Sequence, residues 1–132
     1  MVYMDISSLY LRAGMFDKVI STCNELISHN PTSWFGYYGR GLGYYFTGKI
    51  DSARNDFRTA LGKDIDDINA IEQIVRLAVQ ARDTTLVSVA GSQALSYYAK
   101  EGTVEKRRTI KRMIAEFEAD SSAVNATRQE QE

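Results

Sequence analysis

The chain has 132 residues, 16 Lys and Arg against 17 Asp and Glu for a formal charge of −1, and one Pro, one Cys and one His. A chain of this length forms one domain that buries roughly two-thirds of the surface its unfolded form exposes, with no need of disulfides or metal. The balanced charge gives no whole-molecule field toward nucleic acid or anionic membrane, and the lone Cys23 excludes an internal disulfide, a zinc ribbon and a redox CxxC pair.

Apolar residues recur at intervals of three and four with no competing period-two run, so the class expected is all-α. The first helix starts at once with Val2, Ile6, Leu9 and Tyr10, and ends at Ala13-Gly14. The second opens near Asp17, carries Val19, Ile20, Cys23, Leu26 and Ile27 on one face, and stops at His29-Asn30-Pro31. Thr32-Ser33 cap the third, which ends at Thr47-Gly48 and holds seven of the 14 aromatic residues between Trp34 and Phe46. The fourth opens near Asp51, buries Phe57, Ala60 and Leu61, and breaks at Lys63-Asp64. Asp66 or Asp67 caps the fifth (Ile68, Ile71, Ile74, Val75, Ala78), Arg82-Asp83-Thr84 leads into the sixth with Thr84 as its cap, and Glu101-Gly102-Thr103 into the seventh. The seventh, about Val104 to Ala119, turns Ile110, Met113, Ile114 and Phe117 to one side. After Asp120 the chain is too polar to bury and is expected to fray as a tail over 121–132. Six breaks thus give seven helices whose short connections pack neighbours antiparallel. No basic segment with an apolar run opens the chain and no stretch of 18 uncharged apolar residues occurs, so a reducing, cytoplasmic setting without membrane contact is expected, unless a signal or anchor belongs to a longer polypeptide.

An offset of 34 residues brings Tyr3 onto Tyr37, Tyr10 onto Tyr44, Gly14 onto Gly48, Asp17 onto Asp51 and Ile27 onto Leu61. The second copy reads Tyr37-x2-Arg40-Gly41-x2-Tyr44, then Gly48, then Ala53-x3-Phe57-x2-Ala60. This pattern resembles the tetratricopeptide repeat, and Pro31 closes the first copy as that motif requires. Gly41 and Ala53 are small where paired helices must approach, Tyr44 and Phe57 are large where hairpins leave a gap, and Gly48 turns the chain. Copies fall at about 1–33 and 34–67, with a degenerate third at 68–101 that has Arg82 for the turn glycine and Gly91 for the Phe; Arg40 and Ile65 depart from the pattern inside the good copy. The resemblance implies a right-handed superhelix of helix-turn-helix hairpins over residues 1–120, with 103–120 as a capping helix.

The inventory for chemistry is thin. His29 stands at a helix end, Cys23 lies on an apolar face, and no nucleophile has a recognisable setting, so no catalytic residue, cofactor or metal is assigned and the chain is expected not to be an enzyme. Gly39-Arg40-Gly41-Leu42-Gly43 lacks the following Lys-Ser/Thr and the preceding strand of a phosphate loop, and aromatic neighbours packed against its glycines are expected to offset their helix cost. Asp64, Asp66 and Asp67 lack the Gly and distal Glu of a calcium loop and suit capping. Lys106, Arg107, Arg108, Lys111 and Arg112 form a basic run that fits a solvated outer face, with nucleic-acid contact as the lesser alternative.

The resemblance further implies a concave groove lined by the first helix of each hairpin. Carried over by position, this selects Met4, Ser8, Leu11 and Arg12, then Phe35, Tyr38, Leu42, Tyr45 and Phe46, then Asn69, Glu72, Arg76, Val79 and Gln80. Some co-chaperone members hold a terminal carboxylate with Lys, Asn and Arg, but the matching places here are Met4, Ser8, Gly39, Asn69 and Gln73, so that clamp is absent. Tyr37 and Tyr44 supply the motif aromatics, which leaves Phe35, Tyr38, Tyr45 and Phe46 as a surplus that packs internally or lines the groove. The partner expected is a hydrophobic or aromatic-rich peptide or helix of another protein; the alternative is a homo-oligomer formed through the groove or the open repeat edge.

Overall fold

The computed structural model describes the backbone of residues 2–101 and 103–131 and the side chains of 6–100 and 103–122. Among the described residues it contains seven helices and no strand: α1 Val2–Arg12, α2 Phe16–His29, α3 Trp34–Phe46, α4 Ile50–Leu61, α5 Ile68–Gln80, α6 Thr84–Glu101 and α7 Val104–Gln131. All six interruptions fall where turn residues interrupt the apolar period. The chain forms two compact units, Met1–Ala70 and Ile71–Glu132.

The 34-residue period is written into the backbone of the turns. The amides of Met15, Lys49 and Asp83 donate to the carbonyls of Tyr10, Tyr44 and Ala78 at 2.9, 2.9 and 3.0 Å, so three turns 34 residues apart share one hydrogen-bond closure. The residue before each donor is left-handed: φ is +72° at Gly14, +85° at Gly48 and +55° at Arg82. Arg82, which stands where the first two copies have a turn glycine, adopts the same conformation at a steric cost of about 1–2 kcal/mol.

Packing inside each hairpin follows the same register. In unit one Ser7 meets Cys23, with Oγ and Sγ 3.7 Å apart, and Gly41 meets Phe57, whose ring edge would lie 2.7 Å from a Cβ at that glycine. Full burial of Phe57 is worth about 2–3 kcal/mol, and it is possible only because Gly41 yields the space. The corresponding positions in unit two reverse the sizes: Val75 is buried and Gly91 is small. The room above Gly91 is taken by α7, whose Ile114 Cδ1 would sit 2.6 Å from a Cβ there. The third copy's missing Phe is thus matched by an isoleucine from the seventh helix, which packs against α6 with Ile110 and Phe117 buried.

Two local expectations change. The α6 cap is Asp83, whose carboxylate accepts from the Leu86 amide at 3.1 Å, rather than Thr84. Helix α7 does not end near Ala119 but continues to Gln131, because no Gly or Pro follows Gly102 and the segment after Asp120 is rich in Ala, Gln and Glu. Asp67 caps α5 as expected, accepting from the Asn69 amide at 2.9 Å.

Candidate functional site

Helix α3, Trp-Phe-Gly-Tyr-Tyr-Gly-Arg-Gly-Leu-Gly-Tyr-Tyr-Phe, is shaped by where its glycines fall. Gly36, Gly39 and Gly43 form one stripe against α2, where added Cβ atoms would lie 2.8 Å from Ile27, 2.7 Å from the Cys23 sulfur and 2.8 Å from Ile20. The glycines were expected to be compensated by aromatic neighbours; Gly41 has Phe57 packed closely on it and Gly39 has Phe35 at 4.0 Å, but the nearest contacts of the stripe are aliphatic side chains and a thiol. Close approach on the α2 and α4 sides leaves two other faces of α3 for its large side chains.

One face carries Arg40. Its Nε and Nη2 donate to the two Asp56 carboxylate oxygens at 2.8 and 2.7 Å, and its Nη1 donates to Asn24 Oδ1 at 3.0 Å. Tyr37 and Tyr44 flank the guanidinium, with ring centroids 5.7 and 5.8 Å away. The Asp56 hydrogen bond raises the Arg40 pKa further above its ordinary value. The departure from the repeat pattern at position 40 is thus a tie between α2, α3 and α4. Tyr37 and Tyr44 hold this cation and are half-buried, where the gap between hairpins was expected to be filled by Tyr44.

The other face turns toward α1 and encloses a cavity of about 180 Å³ lined by Ser7, Ser8 and Leu11 of α1, Val19 of α2, and Phe35, Tyr38, Gly39 and Leu42 of α3. Five of the residues selected for the groove, Ser8, Leu11, Phe35, Tyr38 and Leu42, meet here. Ser7 and Val19 join them although the 34-residue offset pairs them with the packing residues Gly41 and Ala53, and Gly39 joins from a place of the absent carboxylate clamp. The Tyr38 ring also leans on Trp34 and Phe57, with centroids 5.7 and 6.3 Å apart, so it is both wall and core. Burial, with a lesser contribution from the Asp67 charge, pushes its hydroxyl up to about 12. Burial likewise raises the Cys23 thiol behind the cavity, which keeps it protonated.

Other selected residues lie elsewhere. Phe46 stacks on Phe16 of α2 at 5.4 Å, and Tyr45 meets Phe46 edge-on at 5.5 Å, so the C-terminal aromatics of α3 pack back onto the second helix and do not line the cavity. Arg76 belongs to the second unit, where it is exposed and 3.9 Å from Glu72. Glu72 does not face a groove: it is buried and accepts a hydrogen bond from the Tyr98 hydroxyl of α6. Asn69 and Gln80 are exposed and Val79 is half-buried; Arg12 is exposed at the end of α1. Met4 lies outside the residues whose side chains are described.

A second hollow of about 310 Å³ lies at the α1–α2 turn, lined by Gly14, Met15, Phe16, Asp17, Lys18 and Thr47. It opens on turn backbone and solvent-facing side chains and has fewer apolar walls than the α1–α3 cavity. The basic side chains of Lys106, Arg107, Arg108, Lys111 and Arg112 are all exposed on α7, opposite its buried Ile110 and Phe117. Among the described residues no group of His, Cys, Asp and Glu could hold a metal ion, and no helix is long and apolar enough to cross a membrane.

No protein-family model matches the chain. Over 64 residues it is 34% identical to the peptidyl-prolyl cis-trans isomerase PASTICCINO1 of Arabidopsis thaliana, a stretch that takes in 48% of this chain and 10% of that protein. The chain therefore corresponds to a small part of the relative it resembles, and the isomerase activity in that protein's name belongs to the whole of it.

Proposed function

We propose that the chain is a tetratricopeptide-like interaction module without catalytic activity, which binds an apolar or aromatic-rich peptide or helix of a protein partner between α1 and α3. The observation that carries this reading is the cavity: α1 and α3, the first helices of two successive copies, enclose an apolar hollow of about 180 Å³ between them. Sites for drug-sized ligands and cofactors run from about 300 to 1,000 Å³, so the hollow suits one inserted side chain. Its polar lining is limited to the serine hydroxyls, the Tyr38 phenol and main chain, and Ser7 already engages Cys23. Such a surface anchors an apolar group and offers no acid–base pair.

The test uses Ser8→Trp, which fills the cavity from its exposed rim. Peptides selected by display on the wild-type chain should lose at least tenfold in affinity for the variant while its circular dichroism is unchanged. Equal affinity would refute the site. A second reading, self-association, has its own observation: Leu9, Met15 and Phe46 are 63%, 42% and 47% exposed. Light scattering across micromolar concentrations decides it, and a monomer throughout removes it.

A further inference from the structure

One aromatic ring beyond the cavity wall lies an acidic edge. The cavity's aromatic wall runs from Tyr38 to Trp34, with ring centroids 5.7 Å apart, and the Trp34 indole N–H donates to Asp66 Oδ1 at 3.0 Å. Asp66 belongs to the connection between α4 and α5, which also presents exposed Asp64 and Asp67. The one cation of that connection, Lys63, is turned onto the Tyr37 ring at 5.7 Å, on the Arg40 face of α3. A ligand anchored in the hollow thus meets the exposed carboxylates of Asp64 and Asp66 just past one aromatic layer.

Resting on the reading above, we propose that the partner is an extended, basic peptide that inserts one apolar side chain between α1 and α3 and sets a Lys or Arg on Asp64 and Asp66. The hollow, below the usual volume of a small-molecule site, has room for one apolar side chain, aliphatic or a single aromatic ring. From Tyr38 the route crosses 5.7 Å to the Trp34 ring centre and then 3.0 Å from its indole nitrogen to Asp66, within reach of about three residues of extended chain at about 3.3 Å each. Charge selects the partner's sign: carboxylates at this edge repel an acidic peptide and steer a basic one. The basic run of a second copy fits less well, because α7 turns Ile110 and Phe117 inward and away from its cations.

Random dodecapeptides displayed on phage are selected against the full chain, and enriched sequences are resynthesised. The expected motif is one apolar residue with Lys or Arg about three positions away. Binding is read from the emission of Trp34, the single tryptophan, which lies between cavity and acid. Asp64→Asn with Asp66→Asn keeps the local geometry, since Asn tolerates positive φ and its amide oxygen still accepts from Trp34, and should weaken binding about fivefold and flatten its salt dependence. Peptides without a basic bias, or affinity unchanged in the double Asn variant, would overturn the proposal while leaving the cavity as the binding site. Peptides indifferent to Ser8→Trp would overturn the cavity itself, as would a selection that yields no peptide. A dimer that Ser8→Trp dissociates would make a second copy the occupant.

Discussion

Gly39→Ala tests whether α2 and α3 are held at the separation described. A Cβ at residue 39 would lie 2.7 Å from the Cys23 sulfur and 4.0 Å from the next neighbour, Phe35 Cε1. Ordinary contacts between heavy atoms of this kind are about 3.5–4.0 Å, so the sulfur or the helices must move by about 1 Å. Overpacking of that degree costs about 1–3 kcal/mol, while Ala in place of Gly inside a helix returns about 1 kcal/mol. The single variant is expected to lose about 1 kcal/mol net. In a Cys23→Ala background the clashing atom is gone, and the same substitution should stabilise by about 1 kcal/mol through propensity alone. The cycle predicts a coupling of about 2 kcal/mol, well beyond the 0.3–0.5 kcal/mol within which independent sites add. Urea unfolding of the four proteins, followed by helical circular dichroism, measures it. Additive effects would refute the close approach that shapes α3.

Three further outcomes follow from the geometry. Gly48→Ala should cost about 1 kcal/mol by backbone strain alone, since φ is +85° and nothing lies within 4 Å of the new methyl, whereas Arg82→Gly, at φ +55°, should gain up to about 1 kcal/mol; thermal melts of both variants check the pair. Arg40→Ile should cost about 2–3 kcal/mol, because the buried Asp56 carboxylate loses its two-point partner, and adding Asp56→Ala should recover most of the loss; this double change copies the buried Ile74 and Ala90 of the third repeat, and urea midpoints report it. Tyr38 titrates in the folded chain at about 12. The unfolded phenol, at about 10, loses its proton first, so stability drops as pH rises from about 10 to about 12, by about 1–2 kcal/mol after discounting the ring's partial exposure; Tyr38→Phe should flatten that slope in urea melts across the window.

The helices were legible in sequence because their breaks are chemical: Gly14 and Gly48 adopt the positive φ that glycine permits, and Asn30-Pro31 interrupts a strong apolar period. The length of α7 was less legible, since a polar segment without Gly or Pro reads equally as coil or exposed helix. Five residues selected by position in the repeat, Ser8, Leu11, Phe35, Tyr38 and Leu42, line the candidate hollow between α1 and α3, and of these Ser8 and Leu42 are related by the 34-residue offset. The stacking of Phe46 on Phe16 was not legible, because Phe16 lies before the apolar face of α2 and matches no motif position. Arg40 stood out only as a departure from pattern. The signal that explains it, Asn24 and Asp56 each 16 residues away, is a contact across two hairpin turns, which periodicity within one helix does not display.

The central claim, that the hollow between α1 and α3 is where the chain binds its partner, is tested most directly by mapping amide chemical shifts of the isotope-labelled chain during titration with a selected peptide. The expected perturbations cluster at Ser7, Ser8, Leu11, Phe35, Gly39 and Leu42, with Trp34 and Asp66 at the edge. Shifts confined instead to Gly14, Met15, Lys18 and Thr47, or to Arg107, Arg108 and Lys111 of α7, would contradict it.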